Sequence, residues 1–250
     1  MTITNVRTPR NSGHDLDEGF FFSEISLSVE VVQSLIKRGK YINDEAIDGF
    51  FDLLDKCQIL NDTYEDKDLF FSSLFITSLL QILPNNSPSE SNYADKFKFD
   101  IVKNWYSWHG NIFEKSKIFI PINISNQHWA MVVVYIQEKR IQYYDSLHWN
   151  YGKVYVSIVL KYLEHKWLQL CMINLFHKNS WNLVFSTENV PTQGKGTANC
   201  GIYVCLLAER ISSRNNYADM ISQILDENDH ARWFMTYCLA KDKIMMGAER

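Results

Sequence analysis

Apolar positions recur along this chain with two periods, and the change from one to the other divides it into helices and strands. From Ser28, the residues Val31, Val32, Leu35 and Ile36 keep helical spacing as far as Gly39, and Ala46, Ile47, Phe50, Phe51, Leu53 and Leu54 repeat that pattern in a second helix. Asn43 or Asp44 stands where this second helix needs its N-cap. Asp68 to Leu83 and Tyr93 to Trp108 read as further helical segments, separated by the turn-rich stretch PNNSPSESN, Pro84 to Asn92. Lys117 to Ile122 and Trp129 to Ile136 are rich in Ile, Val and aromatics and read as buried strands, with Gln137 to Arg140 as a polar turn and Ile141 to Tyr144 as the return strand. Val154 to Trp167 predicts an amphipathic helix, Leu183 to Val190 a further strand, and Cys200 to Ile211 a largely apolar helix; the final helices begin near Tyr217.

Helices on both sides of a central group of strands predict an α+β domain with a mixed or antiparallel sheet, a buried helix that starts at Cys200, and flanking helices. Residues 1 to 19 are polar and aperiodic and predict a poorly ordered leader, leaving 20 to 250 as one domain with a core at about 118 to 211.

Charge and cysteine content remove several function classes. With 25 basic and 29 acidic residues the net charge is -4, which gives no footprint for nucleic acid. The longest apolar runs are strand-sized, far short of the roughly 20 residues that span a bilayer, so a soluble protein is expected. Five cysteines, an odd number with no signal-like segment after Met1, point to free thiols in a reducing compartment. Cys200 and Cys205 lack a second Cys or His pair at zinc spacing, so no metal and no cofactor are expected. Cys205 is read as core.

The ends of the predicted elements carry a possible thiol chemistry. His128 precedes the strand that starts at Trp129, Asp145 ends the return strand, and Cys200 opens a helix after a glycine-bearing loop. A thiol nucleophile needs an imidazole, an acceptor to orient that imidazole, and donors for the oxyanion. The amides and dipole of a helix N-terminus favour a thiolate there. Gly201 permits close approach of a substrate carbonyl, and Gln193 could aim its amide at the oxyanion. By default His128 would be structural, Cys200 a packed hydrophobe, Asp145 a turn residue and Trp129 a core aromatic. Spacing alone leaves a gap: a hairpin centred between Glu138 and Lys139 pairs Asp145 with about Val132, so that about 13 Å separates it from His128 at about 3.4 Å per residue, and a bend or bulge is required.

Four segments in order resemble the Ulp/sentrin-specific proteases and their adenovirus-protease relatives, over roughly residues 25 to 211. Tyr41-Ile42-Asn43-Asp44-Glu45-Ala46-Ile47 is similar to the family's WLNDEVI element, and Ile118 to Ile122 followed by His128-Trp129 to its strand-plus-histidine motif. Tyr144-Asp145-Ser146-Leu147 resembles the aspartate motif, and Val190-Pro191-Thr192-Gln193 with Asn199-Cys200-Gly201 the glutamine and cysteine motifs. The order His, Asp, Gln, Cys differs from that of papain-like and ubiquitin-specific proteases, whose cysteine comes first.

The resemblance implies a cysteine protease that cleaves after the C-terminal Gly-Gly of ubiquitin, SUMO or NEDD8. In it His128 is base, Asp145 its orienter, Gln193 an oxyanion donor and Cys200 the nucleophile. Tyr41 and Trp129 cover a tunnel for the Gly-Gly tail, and Asp44 lies near the modifier. The expected partner is the modifier or its conjugates, the enzyme a monomer of the cytoplasm or nucleus of a eukaryotic cell or of a host cell. An acyltransferase of the same clan, a polyprotein-processing protease and a weak modifier-binding module are the alternatives. The chain departs from the family pattern in having Asn199 before the cysteine, Gln193 seven positions upstream of it and Tyr41 in place of Trp. Asn199 is still expected to cap its helix.

Overall fold

The computed structural model describes residues 33–35, 37, 39–60, 67–81, 93–172, 174–194, 196–213 and 228–241. The expected leader, the first turns of the helix expected from Ser28, the loop Pro84 to Asn92 and the chain around Tyr217 lie outside them.

The described residues form a mixed five-stranded sheet between two layers of helices. Helix α1 (Asp44–Leu60) is followed by β1 (Leu69–Phe70) and three short helices, α2 (Phe75–Leu80), α3 (Tyr93–Lys96) and α4 (Phe99–Val102). Next come β2 (Lys117–Ile124), β3 (His128–Tyr135), β4 (Arg140–Tyr144), α5 (Gly152–Gln169), β5 (Asn182–Val184), α6 (Cys200–Ser212) and α7 (Asn228–Lys241). The strands lie in sequence order, with β2, β3 and β4 antiparallel and the outer strands β1 and β5 parallel to their neighbours.

Because side chains alternate along a strand, the sheet sorts its apolar residues into two cores. Ile118, Ile120, Ile122, Val132, Val134 and Tyr143 face one way, with α2, α4 and α5, while Phe119, Met131, Val133 and Tyr144 face the other, with α1, α6 and α7. Cys205 belongs to this second core and is fully buried.

Asn43 is the N-cap of α1, accepting the Ala46 amide on Oδ1 at 3.2 Å. Three expectations are corrected. Asp68 to Leu83 is not one helix: Leu69 and Phe70 pair with Ile118 and Phe119, and the Phe71 amide donates to the Phe119 carbonyl at 2.9 Å, so edge pairing overrides helical spacing. Tyr93 to Trp108 breaks into α3 and α4, the second ending at Val102; Tyr106 takes a left-handed φ of 63° just before a single 3₁₀ turn at Ser107–His109, and its hydroxyl accepts the Ser72 amide. Leu183 to Val190 holds only the end of a three-residue strand. Beyond Val184 the chain leaves the sheet and turns, with the Val190 amide donating to the Thr187 carbonyl at 2.8 Å.

Candidate active site

The tight hairpin of β2 and β3 pairs Ile124 with His128, leaving three residues for the turn and placing His128 at the very start of β3. The β3–β4 hairpin turns two residues' worth of register earlier than the symmetric reading supposed: Met131 pairs with Tyr144 and Tyr135 with Arg140. One further step sets Asp145 beside Ala130, on the same sheet face as His128 and diagonal to it, a spacing that two side chains bridge without a bulge. His128 Nε2 donates to Asp145 Oδ1 at 2.6 Å, and both residues are buried.

The Asp145 carboxylate is fully engaged. Oδ1 also accepts the Leu147 amide at 2.8 Å, while Oδ2 accepts the Tyr143 hydroxyl at 2.9 Å and the Trp149 amide at 3.1 Å. Burial works against the anion, but its bonds to His128, Leu147 and Tyr143 outweigh it and hold the carboxyl below its ordinary range. Burial likewise disfavours the imidazolium, yet the Asp145 carboxylate and the Cys200 sulfur together raise the His128 pKa to about 9. Trp149 leans over the imidazole with ring centroids 4.6 Å apart.

With Nε2 committed to Asp145, the ring nitrogen left for the thiol is the buried Nδ1, which bonds to no nitrogen or oxygen among the described residues, while the Cys200 sulfur is near enough to help raise the imidazole's pKa. Cys200 is the first residue of α6, so its amide lacks an intrahelical carbonyl, and its side chain is 1% exposed. Gly201 is required for packing between protein segments: a Cβ there would meet Ile42 Cγ1 at 2.5 Å and Trp129 Cδ1 at 3.2 Å. Asn199 does not cap α6 with its side chain, because Asn199 Oδ1 accepts from Arg232 Nε at 2.8 Å. This corrects the expected cap.

Gln193 is held in one orientation. Its Nε2 donates to the Thr197 carbonyl at 2.8 Å, which only the nitrogen can do, and its Oε1 accepts the Ser146 hydroxyl at 2.8 Å. One N–H of that amide remains for another acceptor. The seven-residue spacing to Cys200 is absorbed by a turn in which the Thr197 amide donates to the Gly194 carbonyl at 3.2 Å and Gly196 adopts φ +73°. His148 Nε2 donates to the Val190 carbonyl at 2.9 Å and the Tyr203 hydroxyl to the Thr192 carbonyl at 3.1 Å, pinning the loop from both sides.

A cleft of about 300 Å³ opens beside His128, lined by Tyr41, Asp44, Leu74, Thr77, Gln127 and Trp129 among others. Tyr41 is 61% exposed on its rim, whereas Trp129 is buried and donates Nε1–H to the Ile42 carbonyl at 3.1 Å. Asp48 of α1 holds the wall that Leu74 belongs to, accepting the Ser72 hydroxyl at 2.9 Å and the Ser73 amide at 2.7 Å.

The structure therefore gathers His128, Asp145 and Cys200 into one interacting set and Tyr41, Asp44 and Trp129 around one cleft, with Gln193 fixed to the Asp145 loop through Ser146. Sequence reasoning took Ser146 only as part of the aspartate motif and Tyr143 only as a strand aromatic, and assigned no role to His148, Trp149 or Arg232. The period-2 alternation puts Tyr143 on the Asp145 face and could have found it; the others act across loops and left no periodic signal.

The Ulp1 protease family, C-terminal catalytic domain, matches residues 40–247. Ubiquitin-like-specific protease 1A of Arabidopsis thaliana is 26% identical over 185 residues, covering 73% of this chain and 34% of the plant protein. Ubiquitin-like-specific protease 1 of Saccharomyces cerevisiae is 27% identical over 183 residues, covering 73% of this chain and 25% of the yeast protein, so the chain spans about a third or less of these relatives. The fold is shared with the C-terminal Ulp1 protease domain solved in complex with Smt3, the yeast ortholog of SUMO, at a TM-score of 0.62 and 23% identity, over 87% of this chain and 84% of that one. Set beside the buried imidazole and carboxylate at a helix-initiating thiol, these similarities have one reading: the chain belongs to the Ulp1 protease family and contains its catalytic domain.

Proposed function

We propose that this protein is a thiol protease that hydrolyses the peptide or isopeptide bond after the C-terminal Gly-Gly of ubiquitin or a ubiquitin-like modifier, acting on conjugates in the cytoplasm or nucleus. The observation that carries the reading is the saturated Asp145 carboxylate behind His128, which takes Nε2 and leaves Nδ1 for the Cys200 sulfur that interacts with the same imidazole. In this reading the Cys200 thiolate attacks the glycine carbonyl carbon, forming a C–S bond. The oxyanion is held by the first-turn amides of α6 and the free N–H of Gln193. The C–N bond breaks as the His128 imidazolium gives its proton to the leaving amine, and water then hydrolyses the thioester with His128 as base. The modifier tail lies in the cleft under Tyr41 and Trp129, with Asp44 facing the modifier.

Ubiquitin, SUMO and NEDD8 carrying a C-terminal thiol-reactive group are expected to give one preferred labelled adduct, lost in Cys200→Ala. A modifier ending in Gly-Gly is expected to be cleaved and the same modifier ending in Leu-Gly to be refused, because a side chain at the penultimate position collides with the cleft walls. Equal cleavage of both tails overturns the reading.

A further inference from the structure

Arg232 lies on α7, 32 positions after Cys200 in the chain, and is buried at 3% exposure against the loop that precedes Cys200. Its guanidinium donates from Nε to Asn199 Oδ1 at 2.8 Å, from Nη2 to the Ala198 carbonyl at 2.7 Å and the Lys40 carbonyl at 2.6 Å, and from Nη1 to the Ser34 carbonyl at 3.0 Å. These acceptors belong to two segments far apart in sequence. Ala198 and Asn199 lead directly into Cys200; Lys40 leads directly into Tyr41 and Ile42, which line the cleft. Ile42 in turn packs against Gly201 and takes the Trp129 Nε1–H on its carbonyl.

We propose that Arg232 is a positioning residue for the reaction: one planar guanidinium fixes the cleft wall at Lys40–Ile42 against the start of the nucleophile helix, and holds the Asn199 side chain away from the first-turn amides of α6. The proposal rests on the reading of Cys200 as nucleophile and of the cleft as the tail site. Its physical basis is the geometry of the two cations. A guanidinium presents five N–H donors in one plane and can serve four acceptors at once, whereas an ammonium in the same place cannot reach them together. Asn199 is an N-cap residue type standing at an N-cap position. Its bond to Arg232 occupies that oxygen and holds it off the amides that an oxyanion needs; released, it could compete for them. At Asn199 a neutral amide oxygen meets the guanidinium without placing a buried anion beside the sulfur.

The test uses the full chain and variants Arg232→Lys, Arg232→Gln, Asn199→Ala and Asn199→Asp. Melting curves correct every rate to folded protein, and Cys200 is followed by iodoacetamide alkylation across pH as well as by turnover of a modifier with a C-terminal fluorogenic amide. Arg232→Lys is expected to slow alkylation per folded molecule about tenfold and to lower kcat more than it raises KM, and Asn199→Ala to slow alkylation by a smaller factor. Arg232→Gln is expected to cost about tenfold more in the Asn199→Asp background than in the Asn199 background, because it strands a buried carboxylate. Alkylation per folded molecule that matches wild type in Arg232→Lys and in Asn199→Ala overturns the proposal, even if both melt earlier, as does an equal effect of Arg232→Gln in the two backgrounds. Should Arg232→Gln fail to fold, the Arg232→Lys and Asn199→Ala rates decide alone. Alkylation needs no modifier, so a wild type that cleaves no modifier while its thiol reactivity depends on Arg232 sinks the proposed substrate and leaves the positioning role standing.

Discussion

On one face of the sheet Ile118, Ile120, Ile122, Val132 and Val134 meet α5 in a core of aliphatic and aromatic side chains; on the other, Phe119, Met131, Val133 and Tyr144 meet α1, α6 and α7. Both are buried, but only the second reaches Cys200 and the buried polar cluster of Arg232 and Asn199. His128 and Asp145 have the strand parity of the first face and Cys200 packs on the second, so the three meet only where β3 begins and β4 ends. Side chains within a sheet see only one face, whereas those at its edge can turn around the end of the strands. The lesson is that the faces supply rigidity and the strand ends supply chemistry, in keeping with sites placed at the termini of elements that packing holds still.

The largest effect should come from the strand-end set. Cys200→Ala is expected to lower turnover by about 10⁴-fold or more with an unchanged melting temperature, since a buried thiol at a helix start contributes little packing. Retained hydrolysis of a fluorogenic modifier would remove Cys200 from the mechanism.

Asp145→Asn is expected to lower kcat by about 10³- to 10⁴-fold, by favouring the wrong imidazole tautomer, and to reshape the pH profile. His128 is raised from 6.5 to about 9, so wild-type kcat/KM should hold through neutral pH and fall as pH climbs through about 9. Without the carboxylate the imidazolium loses its support, and the alkaline limb should move to lower pH. The same signs apply to stability. The stabilisation from His128 is complete below about 6.5 and is lost as pH rises through about 9; that from Asp145, whose pKa is lowered from 3.8, is present above 3.8 and lost as pH falls further. A limb that does not shift in the variant would leave Asp145 as a turn residue only.

A pair of substitutions on the two faces sharpens the contrast. Ile120→Ala should cost about 2–5 kcal/mol of stability, measured by denaturant unfolding, with activity per folded molecule unchanged. Trp129→Phe keeps most of the buried ring but deletes its bond to the Ile42 carbonyl; it should cost about 1–3 kcal/mol and lower kcat/KM by about tenfold or more, because the cleft wall loosens. Equal activity per folded molecule in the two variants would erase the distinction between the faces. The smallest effect is expected at Cys205, buried in the second core one helical turn beyond the site, where burial holds the thiol neutral: Cys205→Ala should cost about 1 kcal/mol and leave kcat unchanged.

Periodicity alone determined much of the scaffold. The apolar Ile and Val runs at Lys117 to Ile122 and Trp129 to Ile136, the helical spacing of α1 with Asn43 or Asp44 at its start, and the apolar helix opening at Cys200 follow from local pattern, and the strands and helices form there. The order of motifs, through the family they resemble, pointed to His128, Asp145, Gln193 and Cys200 and to Tyr41, Asp44 and Trp129 around them; His128, Asp145 and Cys200 also stand at element ends that a sequence can mark. What local pattern could not contain is decided by partners distant in the chain. The edge pairing that turns Leu69 and Phe70 into a strand depends on Ile118 and Phe119, and the register that brings Asp145 to His128 depends on where the hairpin between β3 and β4 turns. A register shift of two residues leaves every side chain on its own face, so the alternation of β3 and β4 is blind to it. The loop that aims Gln193 is set by Ser146, His148 and Tyr203, and the setting of Asn199 by an arginine 33 residues further along. Hydrogen bonds between loops have no period, so only the tertiary structure could decide them.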